Sequence, residues 1–177
     1  QSQPNTVYAL IEAEKSALMR SDDGGNSWRT VNNEVGVADR PFYYSEIEVD
    51  PNNPDVIYNI ATFIRRSIDG GKTFSKVEKV DCCAVGNTIH IDNHSLWINP
   101  NDSKHLILGN DCGVAITQDK GDSWRFVQNL AISQFYHIRV DDAQPYNIYG
   151  GLQDNGSWRG PAEVWHSGGI RNVHWQE

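Results

Sequence analysis

The sequence contains little methionine or cysteine and no long apolar run. Only one of its 177 residues is Met, and three are Cys. Its apolar runs are a few residues long, as in Leu106–Leu108, whereas a helix that spans a bilayer needs about 20. The first residues carry neither the basic nor the apolar region of a signal peptide. We therefore expect no membrane span, and either a leader that was removed or a chain cut from a longer one.

Basic residues are also scarce. There are 15 Lys and Arg against 23 Asp and Glu, which gives a net charge of −8 and a pI of about 5.1. Binding to nucleic-acid phosphates requires clustered Lys and Arg, yet these residues are scattered. The adjacent pair Arg65 and Arg66 falls within a predicted strand. We therefore expect no nucleic-acid partner.

Aromatic residues and glycine are abundant instead, and they mark a repeat. Six Trp, seven Tyr and 15 Gly are typical of short strands joined by tight turns. Three octets align without gaps, each with Ser or Thr first, Asp third, Gly fifth, Ser or Thr seventh and an aromatic residue last. They begin at residues 21, 67 and 117, which lie 46 and 50 residues apart. The three octets are Ser21–Trp28, Ser67–Phe74 and Thr117–Trp124.

A repeat of this length is typical of a four-stranded propeller blade rather than of a helical solenoid. Each unit predicts a strand A, an Asn/Pro turn, a strand B, a loop, a strand C, the octet as a turn, and a strand D. No segment has a helical apolar period. Strand A is expected at Glu46–Pro51, Ser95–Pro100 and His137–Asp142, and strand B at Asn5–Leu10, Val56–Tyr58, Leu106–Leu108 and Ile148–Tyr149.

The sequence thus predicts an all-β fold, a partial β-propeller of about three and a half to four four-stranded blades. Residues 1–177 form one partial propeller with blades at about 1–32, 41–80, 88–130 and 133–177. The first blade lacks strand A, and the last is incomplete because its octet, at Asp154–Trp158, is one residue short. Because a propeller removes its sheet edges by closing the ring, we expect a fragment of a longer chain or one that pairs with another chain.

The repeated Asp is expected to be structural and not catalytic. In a hairpin turn it accepts hydrogen bonds from backbone N–H groups of its own turn. The fifth-position Gly adopts a positive φ, and the aromatic residue covers the apolar gap between neighbouring sheets. The residues assigned to these roles are Asp23, Gly25, Trp28, Asp69, Gly71, Phe74, Asp119, Gly121 and Trp124.

The octets resemble the Asp boxes of the bacterial neuraminidase repeat (BNR) and sortilin-type propeller families. The similarity is closest to secreted bacterial proteins described as sortilin N-terminal domain or BNR-repeat glycosyl hydrolase proteins. It implies a propeller in a longer, extracellular or periplasmic protein, whose hydrolase description is largely analogy. The family pattern suggests Gly where Cys112 stands. The segments that carry the resemblance are Asp92–Pro100, Gly109–Val114, Gln134–His137 and Tyr149–Pro161.

A ligand site is expected on the propeller face where each strand A begins and each strand B ends. Aromatic, amide and acidic residues at these positions favour a groove for a glycan or a peptide. The predicted binding residues are Tyr44, His94, Tyr136, Asn110, Gln153 and Asn155.

Acidic residues on the same face raise two further possibilities. Glycoside hydrolysis needs two carboxylic groups, for which the candidates are Asp92, Asp111 and Asp154. A sialidase also needs clustered arginines, and only Arg40 and Arg139 qualify, so an enzyme here would be a glycoside hydrolase of another kind.

His90, Asp92 and His94 lie on one side of an extended segment, where they either hold a metal ion or pin the loop by hydrogen bonds. We favour the loop role and expect no metal and no other cofactor. One disulfide is expected, Cys83–Cys112 or Cys82–Cys112.

Three functions follow in order of preference. The first is an extracellular binding or scaffold module that recognises a glycan or peptide and breaks no bond. The second is a glycoside hydrolase that acts on polysaccharide through paired carboxylates. The third is an assembly segment whose open sheet edges pair with the remaining blades of a parent chain or with another copy.

Overall fold

The computed structural model describes residues 3–34, 36–77, 89–127, 134–153 and 156–177. In this part of the chain, fourteen strands form four antiparallel sheets, and the helical structure is one short 3₁₀ helix, Asn172–His174. No helix among these residues has the length and apolar character of a membrane-spanning segment. The chain divides into two compact units, Gln1–Leu130 and Ala131–Glu177.

Unit 1 contains three sheets in which neighbouring strands follow one another along the chain. Sheet 1 consists of β1 (Val7–Ile11), β2 (Ala17–Ser21) and β3 (Arg29–Asn32). Sheet 2 consists of β4 (Glu46–Val49), β5 (Ile57–Ile60), β6 (Ile64–Ser67) and β7 (Ser75–Lys76). Sheet 3 consists of β8 (Asn93–Ile98), β9 (Leu106–Asn110), β10 (Gly113–Thr117) and β11 (Arg125–Phe126).

Unit 2 contains sheet 4, formed by β12 (Phe135–Val140), β13 (Asn147–Leu152) and β14 (Ser157–Pro161). A single antiparallel bridge, Arg159 to Gln176, occupies the place that strand D has in sheets 2 and 3. The predicted all-β fold and strand order are confirmed. In sheet 1, β1 lies at the position predicted for strand B. The whole-chain blade boundaries stay predictions.

The core of unit 1 lies between successive sheets. Strand β5 is buried along its whole length, with Ile57 facing Leu18 of sheet 1 and Tyr58 and Ile60 facing the other way. On that second side they join apolar residues of sheet 3, including Leu96. A strand covered on both faces is apolar at successive positions, and here the exception is Asn59, which is buried and donates hydrogen bonds to the Val37 and Glu46 carbonyl oxygens.

All three octets form the same turn between strands C and D. The hydroxyl oxygen at position 1 accepts a hydrogen bond from the position-5 N–H, for example Gly25 to Ser21 at 2.8 Å, and donates to the Asp carboxylate. That Asp accepts the backbone N–H of position 7, as Asp69 does from Thr73 at 3.0 Å. The fifth-position φ values are +94°, +88° and +95° at Gly25, Gly71 and Gly121.

These hydrogen bonds favour the ionised carboxylate, and they hold the pKa of Asp23, Asp69 and Asp119 at about 2. The sequence did not predict a second left-handed residue just before the fifth-position Gly. Gly24 and Gly70 fill that position in two octets, whereas Lys120 fills it in the third with a φ of +65°.

The role predicted for Trp28 stays a prediction. Trp28 is 42% exposed and its indole N–H donates to Gly25 of its own turn. Trp124 is only 4% exposed, because it packs against sheet 2 and donates to the Val77 carbonyl oxygen at 3.3 Å. Phe74 likewise packs on the cluster between sheets 1 and 2.

Candidate functional site

The starts of β4 and β8 and the β9–β10 turn lie side by side at one end of unit 1. Backbone hydrogen bonds fix this arrangement, because Asp92 N–H donates to the Thr62 carbonyl oxygen at 3.0 Å and Asp111 N–H to that of Asp92 at 3.3 Å. The side chains gathered there are called the Tyr–His cluster. They are Arg40, Tyr43, Tyr44, Asp92, His94 and Asp111.

Asp92 connects the two sides of the Tyr–His cluster. Its Oδ1 accepts a hydrogen bond from the Tyr44 hydroxyl and another, at 3.2 Å, from the Arg40 guanidinium. Partial burial, the hydrogen bond to Asp92 and the charge of that carboxylate raise the pKa of Tyr44 to about 12. Tyr44 therefore stays protonated near neutral pH and keeps its role as a donor.

Two residues of the cluster hold the left-handed backbone conformation, which is uncommon outside glycine. Arg40 has a φ of +52° and Asp92 a φ of +61°. The two residues also form an ion pair with each other. Backbone strain of this kind concentrates at functional sites, and it supports the choice of this cluster as the candidate site.

His94 and Asp111 form the second polar pair. The His94 Nε2 lies 2.6 Å from Asp111 Oδ1, and both side chains are more than a third exposed. The imidazole ring lies 4.6 Å from the Tyr44 ring and 6.4 Å from the Tyr43 ring, centroid to centroid. Tyr43 itself is 59% exposed. Three rings and two acidic groups therefore share one solvent-accessible surface.

Two asparagines, the predicted binding residue Asn110 and its neighbour Asn93, shape the backbone of the site. The side-chain amide of Asn110 donates a hydrogen bond to the His90 carbonyl oxygen at 3.3 Å and accepts one from the Cys112 N–H at 3.1 Å. These two bonds hold the backbone around the β9–β10 turn. Asn93 is buried and donates to the carbonyl oxygens of Ala61 and Thr62, whereas its Oδ1 has no partner.

The three alternating residues of β8 and its approach have separate partners. The His90 Nδ1 lies 2.7 Å from the Ile91 carbonyl oxygen, whereas Asp92 and His94 belong to the two pairs described above. Among the described residues, no group of three His, Cys, Asp or Glu side chains is placed to hold a metal ion.

Cys112 is exposed beside Asp111. Partial burial and the neighbouring carboxylate raise the pKa of its thiol. The predicted partners, Cys82 and Cys83, lie outside the described residues. The disulfide therefore stays a prediction.

Unit 2 holds the other predicted binding residues. Tyr136 is 64% exposed on β12. Gln153 N–H donates to the Gln134 carbonyl oxygen at 3.0 Å, which joins the end of β13 to the approach of β12. Asp154 and Asn155 lie outside the residues that the structure describes.

Arg40 was considered in the sequence only for sialidase chemistry, and its pairing with Asp92 was missed. The pairing joins residues 52 positions apart, and no local pattern reveals such a contact.

Solved structures resemble this chain, although no protein-family profile and no curated protein matches it. The GH74 enzyme of Niastella koreensis aligns at 18% identity with a TM-score of 0.51, over 89% of this chain and 27% of its own. The GH74 xyloglucanase of Xanthomonas campestris aligns at 16% identity with a TM-score of 0.52, over 88% of this chain and 27% of the xyloglucanase. YCF48 bound to D1 peptide aligns at 14% identity with a TM-score of 0.50, over 93% of this chain and 49% of the YCF48 chain.

These similarities establish the fold. The chain is a partial β-propeller, and it spans between about a quarter and half of the length of these structures. At such low sequence identities the alignments support the fold, and they give no information about the chemistry of the site.

Proposed function

We propose that this chain is part of an Asp-box propeller, of the BNR and sortilin-type group, that binds a glycan at the Tyr–His cluster and breaks no bond. The observation that carries the proposal is the grouping of the Tyr43, Tyr44 and His94 rings with the Asp92 and Asp111 carboxylates on one exposed surface. The propeller lies outside the cytoplasm, as the resemblance implies, and further blades complete its ring.

Aromatic rings beside hydrogen-bonding groups suit a sugar. The apolar face of a pyranose packs on an exposed ring such as Tyr43, while its hydroxyl groups exchange hydrogen bonds with the polar edge formed by His94 and Asp111. Because these polar groups are already held by partners, little side-chain entropy is lost when the ligand binds.

The charge of the cluster favours a neutral glycan over an acidic one. Arg40 is the one arginine or lysine among the six residues, and its charge is balanced by Asp92. The carboxylate of Asp111 remains, and it repels an anionic sugar. A peptide also fits a surface of aromatic and amide groups, and it is the alternative ligand that the binding experiment must separate.

Hydrolysis is less well supported than binding. Glycosidases place two carboxyl groups across the scissile bond, one of which donates a proton to the leaving group. Asp92 and Asp111 each have a side-chain partner within the cluster, an arrangement that stabilises the surface. Asp154 stays a candidate from the sequence alone.

Isothermal titration calorimetry tests the proposal. Neutral oligosaccharides, including xyloglucan fragments because one structural neighbour is a xyloglucanase, are titrated into the protein beside a panel of unstructured peptides. We expect binding to a neutral glycan that Tyr43→Ala abolishes and that Tyr146→Ala, a change at an exposed tyrosine of unit 2, leaves unchanged. Binding to peptides alone would overturn the glycan assignment, and release of new reducing ends would show a hydrolase.

A further inference from the structure

Phe42 is the most exposed large apolar side chain of unit 1 among the residues that the structure describes. It is 80% exposed, and it directly precedes Tyr43 of the Tyr–His cluster. Removal of a phenyl ring from water is one of the most favourable burials that a side chain offers. Phe42 therefore provides apolar area beside the candidate site that a ligand can cover.

The backbone that carries Phe42 is an ordered turn. The Arg40 carbonyl oxygen accepts hydrogen bonds from the N–H of Tyr43 at 3.0 Å and from the N–H of Tyr44 at 3.1 Å, which closes a single turn over residues 41–43. Pro41 restricts φ at the start of this turn. Because the backbone is already held, binding at Phe42 needs only its side chain to become ordered.

Phe42 does not share the contacts that hold the two neighbouring tyrosines. The Arg40 guanidinium lies 5.2 Å from the Tyr43 ring centroid and 5.4 Å from that of Tyr44. The two tyrosine rings also contact each other, with centroids 4.7 Å apart. In the part of the chain that the structure describes, neither a cation nor another aromatic ring lies against Phe42. Phe42 and Tyr43 therefore present two separate aromatic surfaces.

This turn is attached to sheets 2 and 3, which both have four strands in unit 1. Arg40 and Tyr44 each bond to the carboxylate of Asp92, at the approach of β8 in sheet 3. Tyr44 also leads into β4 of sheet 2. The elements that position Phe42 and Tyr43 are thus contained in this chain.

The side chains that run from Phe42 through Tyr43 and His94 to Asp111 form an exposed row. The Tyr43 and His94 ring centroids lie 6.4 Å apart, and the His94 and Asp111 side chains are 41% and 36% exposed. A site for one terminal sugar encloses that sugar in a pocket. An exposed row instead suits a chain that continues past any one position.

We propose that Phe42 forms a second stacking position beside Tyr43, so that the ligand is a glycan chain of at least two linked sugar units and not a single sugar. This inference rests on the proposed function. One pyranose presents an apolar face to one ring, so a sugar on Tyr43 leaves Phe42 to the next unit of the chain. Because a phenyl ring has no hydrogen-bonding group, this second position accepts any sugar of suitable shape, and selectivity stays with His94 and Asp111.

Calorimetric titration with neutral sugars of increasing length tests the second stacking position. The probes are glucose, mannose and xylose, each beside its β-1,4-linked disaccharide and tetrasaccharide. In the series that binds, we expect affinity to rise at least about tenfold from the monosaccharide to the disaccharide. Phe42→Ala should remove this rise and leave the affinity for the monosaccharide unchanged, whereas Phe42→Trp should retain the rise. Ile68→Ala, at a 71% exposed side chain of the second octet, is the matched control and should change neither affinity.

The second stacking position and the proposed function fail in different ways. Equal affinities for the monosaccharide and the disaccharide, or a rise with length that survives Phe42→Ala, would overturn the second position and leave glycan binding at the Tyr–His cluster intact. An equal loss for both sugars in Phe42→Ala would also overturn it, because Phe42 would then only support the turn. No binding in any series would overturn both.

Discussion

The Tyr44 hydroxyl donates a hydrogen bond to the carboxylate of Asp92, which lies 48 residues further along the chain. This bond joins the approach of sheet 2 to the approach of sheet 3, and the His94 ring lies 4.6 Å from the Tyr44 ring, centroid to centroid. The surface that we assign to ligand binding therefore depends on a contact between two sheets and not on one loop.

Removing that hydroxyl should weaken ligand binding. A hydrogen bond to a charged group contributes about 1.5–3 kcal/mol, so Tyr44→Phe should lower glycan affinity about tenfold or more as Asp92 and His94 lose their positions. Tyr146→Phe removes an exposed hydroxyl in unit 2 and should have no effect. Calorimetry on the folded variants measures both, and equal affinities for Tyr44→Phe and the parent would refute this role.

Alkaline pH should destabilise the fold through two tyrosines. Burial above all raises the pKa of Tyr44 and of Tyr58 from 10.0 to about 12. A raised pKa means that the protonated form is favoured in the folded state. This contribution to stability is complete below pH 10 and is lost as pH rises towards 12.

Urea unfolding at pH 9, 10 and 11 measures this loss. Tyr44→Phe and Tyr58→Phe should each flatten the dependence of the unfolding free energy on pH. If the unfolding free energy of the double variant fell with pH as steeply as that of the parent, the loss could not be assigned to Tyr44 and Tyr58.

An octet carboxylate should stabilise the protein and lose its effect in acid. The backbone N–H of Thr73, together with the hydroxyls of Thr73 and Ser67, lowers the pKa of Asp69 to about 2. Asp69→Ala should therefore cost about 1–3 kcal/mol at neutral pH, and the difference from the parent should shrink as pH falls from about 4 to 2. Asp142→Ala, at an exposed acid outside the octets, is the control. A pH-independent difference would exclude the carboxylate as the cause.

Two octet glycines that both have a positive φ should respond differently to alanine. A Cβ at Gly71 would lie 2.5 Å from Leu18 Cδ2 and 3.3 Å from Ile57 Cδ1, whereas at Gly24 the nearest atom is 3.8 Å away. Both residues have a positive φ, so alanine strains the backbone at either position. Gly71→Ala should be more destabilising by about 1–3 kcal/mol, the cost of overpacking a core. Equal melting temperatures would show that packing at Gly71 is not limiting.

The elements of this fold could be predicted because they depend on local patterns. The octets specify a turn through side chains only two to four residues apart, as Asp119 and Ser123 illustrate. The partners of Trp28 and Arg40 could not be predicted, because burial of the first depends on a neighbouring sheet and the ion pair of the second spans sheets 2 and 3. Tyr44 and His94 were placed on one face from their positions before strand A, whereas the Tyr44–Asp92 hydrogen bond and the packing of the Tyr44 ring on the His94 ring required the structure.

The most direct test of the central claim is a nuclear magnetic resonance titration of the labelled protein with the neutral glycan that binds in calorimetry. We predict that the largest chemical-shift changes fall on Tyr43, His94 and Asp111, and that they follow the calorimetric affinity. Saturable shifts confined to unit 2, or a glycan bound with no change at these three residues, would contradict the account.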